Sequence, residues 1–179
     1  MILQKPITGK HIRLRTAVPN DAEFALSLRL DSELGRFLKT TDPSVEKQRA
    51  WITRRMDAEG DYHMIIESLE GKPLGIVALY DIQGKVFDWG RWIIARESPF
   101  TTSIESMLLL YYLGFETLKL ERSDFEVRKG NHRVVAFHPT YGAEIRGEDE
   151  TFIYYRFTAE QFYNDENRLL KRWKKNLQL

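Results

Sequence analysis

The stretch from Asp88 to Thr117 constrains the fold more than any other part of this chain. Val86 to Ala95 is dense in β-branched and aromatic residues and reads as a buried strand, while Ile104 to Thr117 has the length and apolar content of a core helix. Between them Arg96 to Ser103 forms a short polar turn that closes on three hydroxyl residues, Thr101, Thr102 and Ser103. Each can cap the helix by accepting a bond from a free backbone N–H. The first helical turn then points unpaired N–H groups and a partial positive charge at the end of the strand, where a phosphate is well placed. Every βα unit contains such a turn, so it points to an anion site only in company with other features.

The 179 residues suit one domain with a single core, residues 1–179, ending in a basic amphipathic helix over 158–179. A net charge of +1, with both signs mixed along the chain, argues against a nucleic-acid or anionic-membrane partner. No apolar run reaches the length of a membrane span, and the apolar start of the chain is too short for a signal peptide. The absence of cysteine removes disulfides, a thiol nucleophile and thiolate metal sites. These features lead us to expect a soluble, cytoplasmic protein without a metal.

In chain order, the alternation of His11 to Arg15 marks a first, half-buried strand. Pro19 and Asn20 supply a turn and an N-cap for a helix that starts at Asp21 and continues past Leu30 toward Phe37 and Leu38, before Thr40 to Pro43 breaks it. Ser44 caps a second helix that ends at Gly60. Tyr62 to Leu69, Leu74 to Ile82 and Val86 to Ala95 form a three-stranded meander with tight turns at 70–72 and 83–85. After the central helix come a strand at Arg122 to Arg128, a short helix at Asn131 to Tyr141 closed by Gly142, and a last strand pair at Ala143 to Arg146 and Thr151 to Phe157. Thr158 caps the tail helix.

This order, together with three passages, resembles the GCN5-related N-acetyltransferase (GNAT) superfamily over Lys10 to Phe157. The first passage is Asp88 to Ile94 leading into Ile104 to Thr117, which is similar to the acetyl-CoA strand and pyrophosphate turn. The second, Phe115 to Arg122, is similar to the joint before the fifth strand in the branch of ribosomal-protein and amino-sugar acetyltransferases. In the third, Val127 to Ala143, Asn131, His138 and Gly142 keep the family spacing. The resemblance implies an α/β (α+β) fold: a mixed, mostly antiparallel sheet splayed between the fourth and fifth strands, with helices on both faces. One departure stands out, because the pyrophosphate turn of the family is glycine-rich and Pro99 to Ile104 contains no glycine.

The resemblance also implies roles. Moving an acetyl group from a thioester to an amine needs a base for the amine, a polarised carbonyl and an acid for the thiolate. Asp88 is the expected base and His138 the expected acid, whose ordinary pKa near 6.5 would let it exchange a proton at neutral pH. Main-chain amides around Trp92, Ile93 and Ile94 would polarise the carbonyl, Thr101, Thr102, Ser103 and Ile104 would hold the diphosphate, and Asn131 would bond the pantetheine arm or cap its own helix. Trp89, with Trp51, Trp92 and Tyr62, would line an acceptor cleft or belong to the core; Arg91 and Arg128 would hold an anionic acceptor or pair with neighbouring carboxylates.

Two functional readings follow. In the first the chain is an acetyl-CoA-dependent N-acetyltransferase acting on a small-molecule amine, preferably a nucleotide-linked amino sugar and otherwise a protein N-terminus; a homodimer is allowed for. In the second it is a catalytically silent acyl-CoA binder or interaction module that uses its basic tail. A sugar nucleotide calls for a closed aromatic pocket with arginines nearby, a protein acceptor for an open acidic groove.

Overall fold

The computed structural model describes residues 1–177. Eight strands form one sheet, in chain order β1 (Ile7–Thr8), β2 (Ile12–Thr16), β3 (Tyr62–Ser68), β4 (Pro73–Gln83), β5 (Val86–Ile94), β6 (Arg122–Arg128), β7 (Glu144–Glu148) and β8 (Phe152–Thr158). Their spatial order is β1-β2-β3-β4-β5-β6-β8-β7. Every neighbouring pair is antiparallel except β5 and β6, which run parallel and pair only at Val86 with Arg122 and Phe87 with Ser123. Beyond those two pairs the strands diverge. The small strand β1 is one more than the sequence predicts, so the expected splay between the fourth and fifth strands lies between β5 and β6.

The strand residues are apolar on both faces because helices cover both. On one face Met64, Val77, Leu79, Phe87 and Trp89 pack against α3 (Thr101–Tyr112) and the helices that follow the sheet; on the other, Ile65, Ile76 and Ile93 pack against α1 (Ala22–Leu30) and α2 (Val45–Asp57). The single π turn Leu113–Thr117 extends α3. The expected cap of α2 is present: Ser44 Oγ accepts from the Lys47 N–H at 3.2 Å.

Four local readings need correction. The first helix does not run on to Leu38, because the Asp31 carboxylate takes the N–H groups of Glu33 and Leu34, both at 2.9 Å, and turns the chain. Its N-cap position falls on Asp21 rather than Asn20, and Asp21 spends its carboxylate on the Val18 N–H and the Arg15 guanidinium. The helix after β6 divides into α4 (His132–Phe137) and a 3-10 turn, His138–Tyr141, which tolerates Pro139 in its first turn and ends at Gly142 with φ 102. The tail is two helices, α5 (Ala159–Tyr163) and α6 (Arg168–Leu177). Thr158 and Gln161 form a capping box at the start of α5. The last two residues of the expected 158–179 helix lie outside the described residues.

Candidate active site

Where β5 and β6 part, a cleft of about 670 Å³ opens. Trp89, Gly90, Arg91 and Trp92 of β5 and Phe125 to Arg128 of β6 form two of its walls; α2 and the α1–α2 loop at Phe37 to Asp42 form a third; Asn131, Val134 and His138 close it. The volume suits a small-molecule ligand. Because pairing with β6 stops after Phe87, the main-chain groups of β5 that face β6 beyond this point are offered to a ligand instead of a strand. A bulge sharpens the opening: the β4–β5 register slips between Ala78 paired with Gly90 and Ile76 paired with Ile93, and Arg91 takes φ 50. Gly90 leaves room for Tyr80, whose hydroxyl lies 2.9 Å from the place a Cβ would occupy.

Two of the expected site residues carry unusual environments. Asp88 pairs in register with Tyr80, and Tyr80 rather than Asp88 lines the cleft. Asp88 Oδ1 is sealed from solvent without a hydrogen-bond partner, and burial, helped by Glu126 and Asp81, raises its carboxyl to about 7. His138, only 2% exposed, is boxed by aromatic rings, with Phe125 at 4.7 Å, Tyr155 at 5.2 Å and Trp89 at 5.7 Å between ring centres. Its Nδ1 lies 2.7 Å from the Tyr141 hydroxyl. Burial lowers its pKa to about 3, which favours the uncharged imidazole at neutral pH.

The other expected residues divide. Trp92 lines the cleft, its indole N–H bonded to Ser106 Oγ at 3.1 Å; Asn131 lines it too and, although it holds the N-cap position of α4, makes no cap hydrogen bond with its side chain. Ile93 is buried in the core under α1 and α2, and Ile94 pairs with Gly75. The three hydroxyl residues do not cap α3: Phe100 holds the N-cap position, the helix begins at Thr101, and no side-chain cap bond forms. Helical geometry thus starts before the expected Ile104, since the Thr102 N–H already bonds the Pro99 carbonyl at 2.9 Å. Thr101 is exposed, Thr102 is buried with Oγ1 unpartnered, and Ser103 and Ile104 are half-buried; all four lie outside the cleft, at the head of α3.

Trp89 is both core and wall, 4% exposed, with its N–H on Tyr111. Trp51 lines the cleft, whereas Tyr62 is buried away from it. Arg91 is held by Asp61, with nitrogen–oxygen distances of 2.8 and 2.9 Å, and stacks over Tyr80. Arg128 lies over the Phe152 ring and has no ion-pair partner among the described residues. Sequence reasoning missed Arg29, Lys39 and Arg54, which reach the cleft from α1, the following loop and α2. No local pattern marks them; the fold alone brings them to one wall. Tyr141 was legible in principle, since it stands three residues after His138 in a helical turn.

The open edge of β5, the free Asn131 side chain and the first-turn amides of α3 fit a ligand that combines an amide-rich arm with a diphosphate. No group of His, Asp or Glu able to hold a metal ion occurs among the described residues.

A family model for the acetyltransferase (GNAT) domain matches residues 11–144. Among solved structures, apo FdhC, a nucleotide-linked sugar GNAT, is 32% identical, with 97% of each chain covered and a TM-score of 0.82. Spermidine N-acetyltransferase from Vibrio cholerae, solved with CoA and spermine, is 15% identical over 86% of this chain and 98% of that one, with a TM-score of 0.77. A Vibrio cholerae protein described as a ribosomal-protein-serine acetyltransferase is 18% identical over 88% and 99%, with a TM-score of 0.74. The last two share the fold alone. No curated protein matches the sequence. With a family match over most of its length and a GNAT sheet opened between β5 and β6, the chain belongs to the GNAT family and is an acetyl-CoA-dependent N-acetyltransferase.

Proposed function

We propose that the acceptor is an amino sugar linked to a nucleotide, and that residues 1–179 act as one acetyltransferase domain. The observation that carries this reading is the charge of the cleft. Six basic side chains line it, Arg29, Lys39, Lys47, Arg54, Arg91 and Arg128, against two acidic ones, Asp42 and Glu126. Two of the six are neutralised, Lys47 by Asp42 at 2.6 Å and Arg91 by Asp61. Lys39, Arg54, Arg128 and the half-buried Arg29 have no carboxylate partner among the described residues, and Arg29 instead donates to Thr41 Oγ1 at 2.8 Å. Unpaired guanidinium groups beside aromatic walls suit a diphosphate and a nucleobase. A polyamine, itself polycationic, would be repelled, and a protein N-terminus would meet no acidic groove. The likeness to FdhC at 32% identity supports the same class.

In this reading Arg128 and the α1–α2 wall hold the acceptor's phosphates, and Trp51 and Trp92 flank its rings. Asp88, with its raised carboxyl, is the base for the amine's proton from behind the wall, where its register partner Tyr80 and the nearby Glu126 line the cleft. The thioester supplies the acetyl group. The main chain of β5 beyond Phe87 supplies amides to the carbonyl oxygen, and the Thr101 and Ser103 hydroxyls with the free amides at the head of α3 assist the diphosphate of the donor.

The test is a thiol-release assay with acetyl-CoA and a panel of acceptors: nucleotide-linked amino sugars, the same sugars without the nucleotide, spermidine, and peptides with free N-termini. A nucleotide-linked sugar should give the highest kcat/KM, with the free sugar lower by about 10²-fold or more through loss of charge-assisted bonds. Preference for spermidine or a peptide would overturn the assignment.

A further inference from the structure

A buried hydrogen-bonded chain stands behind His138. The Trp89 indole Nε1–H donates to the Tyr111 hydroxyl at 3.1 Å, the Tyr111 and Tyr141 hydroxyls lie 3.0 Å apart, and the Tyr141 hydroxyl lies 2.7 Å from His138 Nδ1. None of the four residues is more than 4% exposed. The chain has a direction, because an indole N–H can only donate and Tyr111 must accept from it. If Tyr111 then gives its proton to Tyr141, and Tyr141 gives its own to His138 Nδ1, every buried hydrogen in the chain has an acceptor.

The opposite direction fares worse on this count. A proton on Nδ1 would make Tyr141 the acceptor and turn the Tyr141 proton onto Tyr111, whose own proton would be left only the neighbouring Ser123 Oγ, close enough to lower the Tyr111 pKa from what burial alone would give. The neighbouring Ser123 Oγ has no partner in hydrogen-bond geometry. A misaligned bond for a buried hydroxyl is weaker than the well-aligned bonds of the first direction, which disfavours that arrangement. The ring lines the cleft, and Nδ1 is spent on Tyr141. Both ring nitrogens of His63 are sealed in without partners, but Nε2 of His138, unbonded among the described residues, is not sealed off.

We propose that His138 works as a neutral imidazole with its proton on Nε2, a hydrogen-bond donor offered to the cleft, and that Tyr141, Tyr111 and Trp89 are positioning residues that hold this tautomer. The surrounding rings carry no charge that would favour the imidazolium, in keeping with a pKa lowered by burial alone. The group therefore strengthens its bond to an oxygen or sulfur atom that gains negative charge as the amine attacks, and keeps its proton. The relay behind it ends on an indole N–H, which cannot replace a proton given away. What His138 donates to rests on the acetyl-transfer reading; the tautomer rests on the hydrogen-bond chain alone.

Long-range proton–nitrogen NMR of histidine-labelled protein tests the tautomer without turnover. A pyrrole-type Nε2 and a pyridine-type Nδ1, unchanged from about pH 5 to about pH 8, are expected. A proton on Nδ1, or an imidazolium signature near neutral pH, would overturn the proposal. Tyr141→Phe should shift the His138 signals toward mixed tautomers. In kinetics, H138Q places an amide N–H close to the Nε2 position and should keep kcat within about tenfold of the parent, while H138N and H138A lose about 10²-fold or more. If H138Q is as slow as H138A while the NMR tautomer stands, the donor role is wrong and only the positioning survives.

Discussion

Arg91 faces Asp61 with two guanidinium nitrogens, Nη1 to Oδ1 at 2.8 Å and Nη2 to Oδ2 at 2.9 Å, and so ties the β5 bulge to the start of β3. A non-glycine residue at φ 50 is strained, and this pair, with the Tyr80 ring beneath the guanidinium at 4.4 Å, holds it there. Arg91 therefore shapes the mouth of the cleft and is not a free cation within it.

Removing one partner of this pair should be expensive. Asp61→Ala leaves a largely buried guanidinium uncompensated and should lower stability by about 3–5 kcal/mol, read from urea denaturation. A loss below about 1 kcal/mol would mean that solvent already screens the pair.

Asp88 should set both a pH–rate limb and a pH–stability slope. Its folded pKa, about 7 against an ordinary 3.8, means that the folded state holds the proton more tightly than the unfolded chain does. Stability should therefore fall as pH climbs from about 4 to about 7, and Asp88→Asn should flatten that fall. In the same variant kcat/KM should drop by about 10²-fold and lose its rise through about pH 7. If Glu126→Gln removes the limb and Asp88→Asn does not, the base is Glu126.

The cationic wall should act through acceptor binding. Arg128→Ala and Arg54→Ala should each raise the acceptor KM by about tenfold, weaken the dependence of KM on salt, and leave the KM for acetyl-CoA within about twofold. Equal effects on both substrates would place these residues on the donor side.

His63 gives a stability prediction independent of catalysis. Both its ring nitrogens are buried without partners, its ring stands edge-on to Trp51 at 4.9 Å, and burial lowers its pKa to about 3. The unfolded chain takes up a proton below about pH 6.5 that the folded protein refuses, so His63 contributes stability above that pH which is lost as pH falls. His63→Leu should be neutral or stabilising near pH 8 and gain about 2 kcal/mol more near pH 5, read from denaturant midpoints. A large loss at both pH values would show that a partner satisfies the ring.

Sequence periodicity and turn chemistry determined the elements, because these are local properties. Alternation placed β2, hydrophobic runs placed β3 to β5, and Ser44 and Thr158 marked helix starts; it was the resemblance to the family that singled out Asn131 and His138, which both line the cleft. Only the tertiary structure decided what those residues meet. The side of β5 on which Asp88 falls, the capture of Arg91 by Asp61, the arrival of Arg29, Lys39 and Arg54 at one wall, and the burial that disfavours charge on His138 all depend on groups distant in the chain. A pKa follows the dielectric and charges around a group, and a hydrogen-bond direction follows the last donor in its chain. Neither can be read until the sheet has opened and the helices have closed over it.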